Sequence, residues 1–114
     1  QEYSDQASSG LQCFCDGDIS QQILFCQLIF CPAKVMPCFD QPDLKSVMSL
    51  EVITHEHWSA LANATVAFEE NQLDPDTLEM MGSGWVADFF AQAGHTELKR
   101  LVFEPTPKLS SYLW

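Results

Sequence analysis

Ile23-Leu24-Phe25-Cys26-Gln27-Leu28-Ile29-Phe30-Cys31 is the most apolar run of the chain, and the fold assignment turns on how it is read. Gln27 alone interrupts it, Gln21-Gln22 precede it and Pro32 closes it. An apolar run of this kind, bounded by proline and carrying β-branched and aromatic residues, reads as a strand covered on both faces. A helix can be written over the same residues, but Pro32 argues against it. The expectation is therefore a central strand that buries Leu24, Cys26 and Leu28.

Working outward, Leu11-Gln12-Cys13-Phe14-Cys15 alternates, with Leu11, Cys13 and Cys15 on one face and Phe14 on the other. Asp16-Gly17-Asp18 follows, and Asp-Gly between apolar runs signals a hairpin, because a type I′ turn needs positive φ at both central residues. The return strand is then expected from Ile19 to Cys31. Residues 1–10 are polar, end in Ser-Ser-Gly and read as a flexible lead-in to a single domain over residues 11–114. Pro32, Pro37 and Pro42 punctuate the next segment, leaving Val35-Met36 as a short edge piece.

Beyond the prolines, residues 47–54 (VMSLEVIT) alternate as a strand, with Leu50 and Val52 on one face and Glu51, Ile53 and His55 on the other. Trp58, Leu61, Ala62, Thr65 and Phe68 recur at helical spacing, which predicts a helix over residues 55–70. Asp74-Pro75-Asp76 is a helix start: Asp74 caps, Pro75 takes the first helical position and Asp76 complements the positive end. The second helix is expected over residues 75–93, weakened at Gly82-Ser83-Gly84 and ended by Gly94. Residues 98–104 (LKRLVFE) read as the last strand, and the Pro-rich, aromatic tail after them as irregular. The fold class this implies is α+β: an antiparallel sheet of about four strands (residues 11–15, 19–31, 47–54 and 98–104) with two helices (55–70 and 75–93) packed on one face.

Sixteen acidic residues against five basic ones give a formal net charge of −11. That balance argues against nucleic acid or an anionic membrane as partner, since both need a basic footprint. It allows a basic protein partner, metal cations or simple solubility, of which solubility is the leading reading. Cys13, Cys15, Cys26, Cys31 and Cys38 contain no C-x-x-C, so the zinc-ribbon and thioredoxin spacings are missing and apolar packing is the leading reading. The odd count without a disulfide framework points to a reducing compartment such as the cytoplasm. The Gln1 start and the Asn63-Ala64-Thr65 sequon point to secretion.

Three constellations remain. Glu69, Glu70, Asp74, Asp76 and Glu79 form the densest acidic group and are the candidate partner-binding surface. His55-Glu56-His57 is the candidate metal pair. On a strand His55 and His57 would point the same way; on a helix beginning at Thr54 they would diverge. Trp58, Trp85, Phe89 and His55 would line a ligand pocket if the helices cover the sheet. The chain carries no P-loop, no G-x-G-x-x-G and no G-x-S-x-G, and nothing in it names a cofactor. The functional expectation is a small acidic, non-enzymatic binding domain that acts on a protein partner or as a homodimer. The alternative is a small enzyme or ligand-binding protein with a metal-dependent pocket near His55, His57 and Trp85.

Overall fold

The computed structural model describes residues 11–15, 22–26, 35–80, 82, 84–92, 94 and 97–114. The fold is mixed α+β, with its strands in three small antiparallel sheets instead of one four-stranded sheet. The chain divides into two compact units, one of residues 1–48 with 106–114 and one of residues 49–105.

In the first unit β1 (Leu11–Cys15) pairs with β2 (Gln22–Cys26) as a two-stranded hairpin. Its register sets Leu11 opposite Cys26 and Cys15 opposite Gln22. Of the return strand expected from Ile19 to Cys31, Gln22–Cys26 is described and paired, and residues 19–21 lie outside the described residues. The Asp16-Gly17-Asp18 turn and residues 27–31 lie outside the described residues, as does the lead-in. The expected burial of the central run fails where it can be seen: Ile23, Leu24, Phe25 and Cys26 are exposed. The reason is architectural. Among the described residues the hairpin has no third strand, and the apolar side chains of a two-stranded ribbon stay open to water. Val35-Met36 forms a turn, not an edge strand.

The tail after residue 105 is ordered against residues 39–48. Thr106 and Met48 exchange bonds: the Met48 N–H donates to Thr106 Oγ1 at 3.0 Å and the Thr106 N–H to the Met48 carbonyl at 3.0 Å. β3 (Lys45–Ser46) pairs with β7 (Leu109–Ser110), and a short 3₁₀ turn over Ser111–Leu113 follows. Ser111 Oγ donates to the Phe39 carbonyl, and the Tyr112 hydroxyl bonds Asp40, which raises the phenol above its ordinary range. The bond and the charge of Asp40 both oppose loss of the phenolic proton.

The second unit holds the three-stranded sheet, in order β4-β6-β5, from β4 (Glu51–His55), β5 (Val66–Asn71) and β6 (Leu98–Phe103). β6, read from the sequence only as the last strand, is central to this sheet, and the strand expected over residues 47–54 starts later and ends at His55. Residues 55–70 do not form a helix. The chain turns at Glu56-His57, with the Trp58 N–H donating to the His55 carbonyl, runs irregularly to Thr65, and re-enters the sheet as β5. The apparent stripe at helical spacing is not a buried face: Leu61 is 98% exposed. Two forces favour the strand. Val66, Ala67 and Phe68 sit well on a pleated edge, and pairing with β6 puts Glu69 and Glu70 beside Leu101 and Arg100 instead of at a helix C-terminus, where the dipole opposes them. Gln72, at φ 59°, then turns the chain out of the sheet.

The expected helix over residues 75–93 is two helices, α1 (Pro75–Met80) and α2 (Gly84–Gln92). Gly82 breaks them apart at φ +71°, a conformation open to glycine without a Cβ clash, and its N–H bonds the Glu79 carbonyl. Gly94, at φ +80°, closes α2. Opposed residues of an antiparallel pair share a face, so Ile53, His55, Leu98 and Arg100 lie together on one side of the sheet. The helices pack at the Leu98 end of that side. Leu73, Leu78 and Leu98 are buried together, with Ile53 and Phe90 against them. Leu101 and Phe103 are buried on the opposite face of β6.

Leu78 has no solvent exposure and stands where α1 meets β6. Leu78→Ala is expected to destabilise the unit by about 2–5 kcal/mol, and Leu61→Ala by less than about 0.5 kcal/mol, in urea unfolding followed by circular dichroism. Equal midpoints for the two variants would contradict this packing.

Candidate functional site

The acidic surface is built from the ends of β5 and α1. Glu69 and Glu70 are neighbours on β5, so they face opposite sides of the sheet. Glu69 Oε1 pairs with Lys99 Nζ at 3.3 Å. On the other side, Arg100 lies between two carboxylates. Glu51 holds it through both oxygens, Oε1 to Nε and Oε2 to Nη2, each at 2.9 Å, and Glu70 Oε2 stands 3.6 Å from Nη1. The hydrogen bond from Nη2 to Glu51, with the charge of both carboxylates, raises the guanidinium above its ordinary value. Three of the chain's acids thus meet two of its cations within the sheet.

Asp74 is a helix cap. Its Oδ1 accepts the Thr77 N–H at 2.7 Å, and its carbonyl accepts the Leu78 N–H. The side-chain bond satisfies an amide that the first turn of α1 leaves without a helical partner, and the carbonyl bond is the first i→i−4 bond of the helix. The bonds from Thr77 hold the Asp74 carboxyl below its usual range. Asp76 complements the dipole from the first turn. Glu79 lies against the start of α2: a Cβ on Gly84 would stand 3.5 Å from Glu79 Cα and 3.7 Å from its Cγ. Of the five residues read as a partner-binding group, Glu69, Glu70 and Asp74 are engaged inside the unit, and Asp76 and Glu79 are exposed at the α1–α2 corner.

The histidine pair sits where β4 ends. His55 closes the strand and His57 is in the turn after it, so neither the strand geometry nor the helix geometry applies to both. The rings lie 5.1 Å apart between centroids, tilted by 51°. The His57 N–H donates to His55 Nδ1 at 3.3 Å, which fixes that ring nitrogen as an acceptor. His57 Nε2 is 3.9 Å from Glu97 Oε2, and the Glu56 N–H donates to the Glu97 carbonyl at 2.9 Å. The turn and the residue before β6 are thereby tied together. Among the described residues no group of three or more His, Cys, Asp or Glu side chains is placed to hold a metal ion.

The aromatic residues read as a pocket are distributed differently. Trp58 and His55 are half-buried near the turn. Trp85 and Phe89 are one helical turn apart on α2 and face solvent, at 71% and 59% exposure. Phe90, beside them, turns inward and meets Phe89 edge-on at 5.5 Å. Cys13, Cys26 and Cys38 are free thiols, and partial desolvation raises the Cys26 thiol away from the reactive thiolate form. Among the described residues no helix is long and apolar enough to cross a membrane. Sequence reasoning missed Glu51, Arg100 and Glu97. Their partners are set by strand register, which one chain read alone does not display.

No protein family matches the chain, and no solved structure matches it either. A curated protein does: aminopeptidase Q of the mouse is 32% identical over 79 residues, which are 69% of this chain and 11% of the relative. The chain spans about a ninth of the length of the curated relative it matches, by that 11%.

The cap gives a pH dependence with a definite sign. The folded-state value of Asp74 is lowered, so its stabilisation is complete above the unfolded value, about 3.9, and is lost as the pH falls through the folded value. Hydrogen exchange should show the amides of Thr77 and Leu78 losing protection in acid below about pH 4. Asp74→Asn keeps a capping oxygen without the titration, so its protection there should not follow the same curve. Superimposable acid profiles would remove Asp74 as the cause.

Proposed function

We propose that this chain is a non-enzymatic binding module, one piece of an aminopeptidase-like protein, which works by laying apolar surface on protein. The observation that supports the reading is the exposure of large apolar side chains in both units. Phe14, Ile23 and Phe25 share one face of the hairpin and are all exposed. Trp85 and Phe89 are exposed on α2. Contiguous apolar surface of this kind marks interaction sites in soluble proteins. The 32% identity to a stretch of aminopeptidase Q that is 11% of that protein fits a module whose apolar faces meet the rest of a longer chain.

The mode of binding differs from an acidic patch acting alone. Glu69, Glu70 and Asp74 serve internal pairs and a cap. The aromatic and aliphatic side chains supply the area, and the remaining carboxylates bias which partner is met. A homodimer would use the same surfaces, and its signature is concentration-dependent mass.

The test uses the chain and mouse aminopeptidase Q from which the matching 79-residue stretch has been deleted. Titration calorimetry should give a dissociation constant of about 10 μM or tighter, and Phe25→Ser should weaken it about tenfold. Aminoacyl-coumarin reporters, with and without added zinc, should be left intact by the chain alone. Turnover by the chain that is lost in His57→Ala would overturn the reading in favour of a metal-dependent enzyme. Absence of binding to the deleted relative would also overturn it.

A further inference from the structure

α2 is apolar on two sides. Val86 and Phe90 are half-buried on one, and Phe90 packs on the Leu73–Leu78–Leu98 core. Trp85 and Phe89 stand on the other and are exposed. A helix apolar on both sides is built for cover on both. The sheet supplies one cover, and the Trp85–Phe89 side has none from the described residues.

The charge around that side is of one sign. Asp88 follows Trp85 by three positions and precedes Phe89, so it rims the aromatic pair. Glu79 lies against Gly84, next to Trp85 in the chain, and Asp76 is exposed in the preceding helix. Between Leu73 and Glu97 the sequence has no lysine or arginine, whereas Asp74, Asp76, Glu79 and Asp88 all fall there. Two of the five basic residues in the whole chain, Lys99 and Arg100, are held in ion pairs with Glu69, Glu51 and Glu70. A second copy, at −11, would bring like charge to this rim.

We infer that the Trp85–Phe89 face of α2 docks a basic amphipathic segment of another protein, with its apolar side chains on the two rings and its lysines or arginines against Glu79, Asp88 and the face of Trp85. An acidic rim around exposed aromatics complements that chemistry in two ways: carboxylates pair with the cations, and the indole attracts a cation through its ring face. The inference rests on the chain being a binding module and adds what this face binds.

The test is fluorescence anisotropy with the full chain and three labelled probes: an 18-residue Leu/Lys amphipathic helix, its Leu/Glu counterpart, and a Lys/Gly peptide of equal charge. The Leu/Lys probe should bind, and its affinity should fall at least about tenfold from 50 to 500 mM salt. It should lose about tenfold in Trp85→Ala and about threefold in Asp88→Asn. Trp85 is exposed, so Trp85→Ala should keep the parent's circular dichroism. Phe89→Ser is the second variant, and should also lose about tenfold. Equal binding of the Lys/Gly peptide, equal binding of the Leu/Glu helix, or isotherms unchanged by both aromatic variants would overturn the inference. So would a dimer dispersed by Trp85→Ala in sedimentation. Aminoacyl-reporter turnover by the chain would sink the binding-module reading without altering these isotherms, so the two failures remain distinct.

Discussion

The contact between Leu98 and the segment leading into α1 holds the second unit together. The Leu73 N–H donates to the Leu98 carbonyl at 2.9 Å, and the two side chains are buried with Leu78. One backbone bond and one small apolar cluster thus fasten the helices to the central strand. β6 carries β4 and β5 on its two edges, and its registers with them bring Arg100 between Glu51 and Glu70 and Lys99 to Glu69. The ion pairs follow from the register and do not create it, because exposed or half-exposed pairs contribute little by themselves. The apolar cluster contributes more, since burying a leucine stabilises by about 1.5–3 kcal/mol relative to leaving it exposed.

How much of this was legible depends on whether the signal was local. The Asp74-Pro75 start of α1 was fully local, since a capping oxygen and a proline with no N–H act on the next few amides only. The structure places the cap bond at Thr77 accordingly. β6 was legible because its residues are strand-forming and alternate at Leu101 and Phe103, which are buried on one face; Leu98, buried on the other, is covered by the helices. Residues 55–70 were not legible. Their apolar residues fit a helical period, yet a period states only which side chains could share a face, not whether a face exists to receive them. Leu61, in solvent, shows that none does. The pair Glu69-Glu70 was the contrary signal. It sat badly at a helix C-terminus and well beside Lys99 and Arg100, a choice that tertiary pairing decides.

The apolar run at Ile23–Cys26 teaches a different lesson. Composition correctly indicated a strand there, and the structure has one. What composition could not supply was the neighbours. A strand apolar on both faces is buried only if sheets or helices are available on both, and among the described residues β2 is paired with β1 alone. The same reasoning applies to α2, whose Trp85 and Phe89 face solvent although Val86 and Phe90 are packed. In both units the chain encodes more apolar face than the described residues cover.

That excess bears on how the net charge of −11 is used. If the acids of the second unit were only a solubility device, those near the helices would be spread without regard to the apolar faces. Seven of them are not. Glu51, Glu69 and Glu70 are committed to Arg100 and Lys99, and Asp74 to the α1 amides, whereas Asp76, Glu79 and Asp88 are exposed around the corner that carries Trp85. Carboxylates beside an open aromatic face keep that face soluble when alone and disfavour pairing with another acidic copy, since like charges across a desolvated contact are costly. Under the docking proposed for this face, the same carboxylates would attract a cationic partner. A single arrangement would then provide both restraint and selectivity, and it arises where a glycine-broken helix pair turns one aromatic side of α2 away from the core.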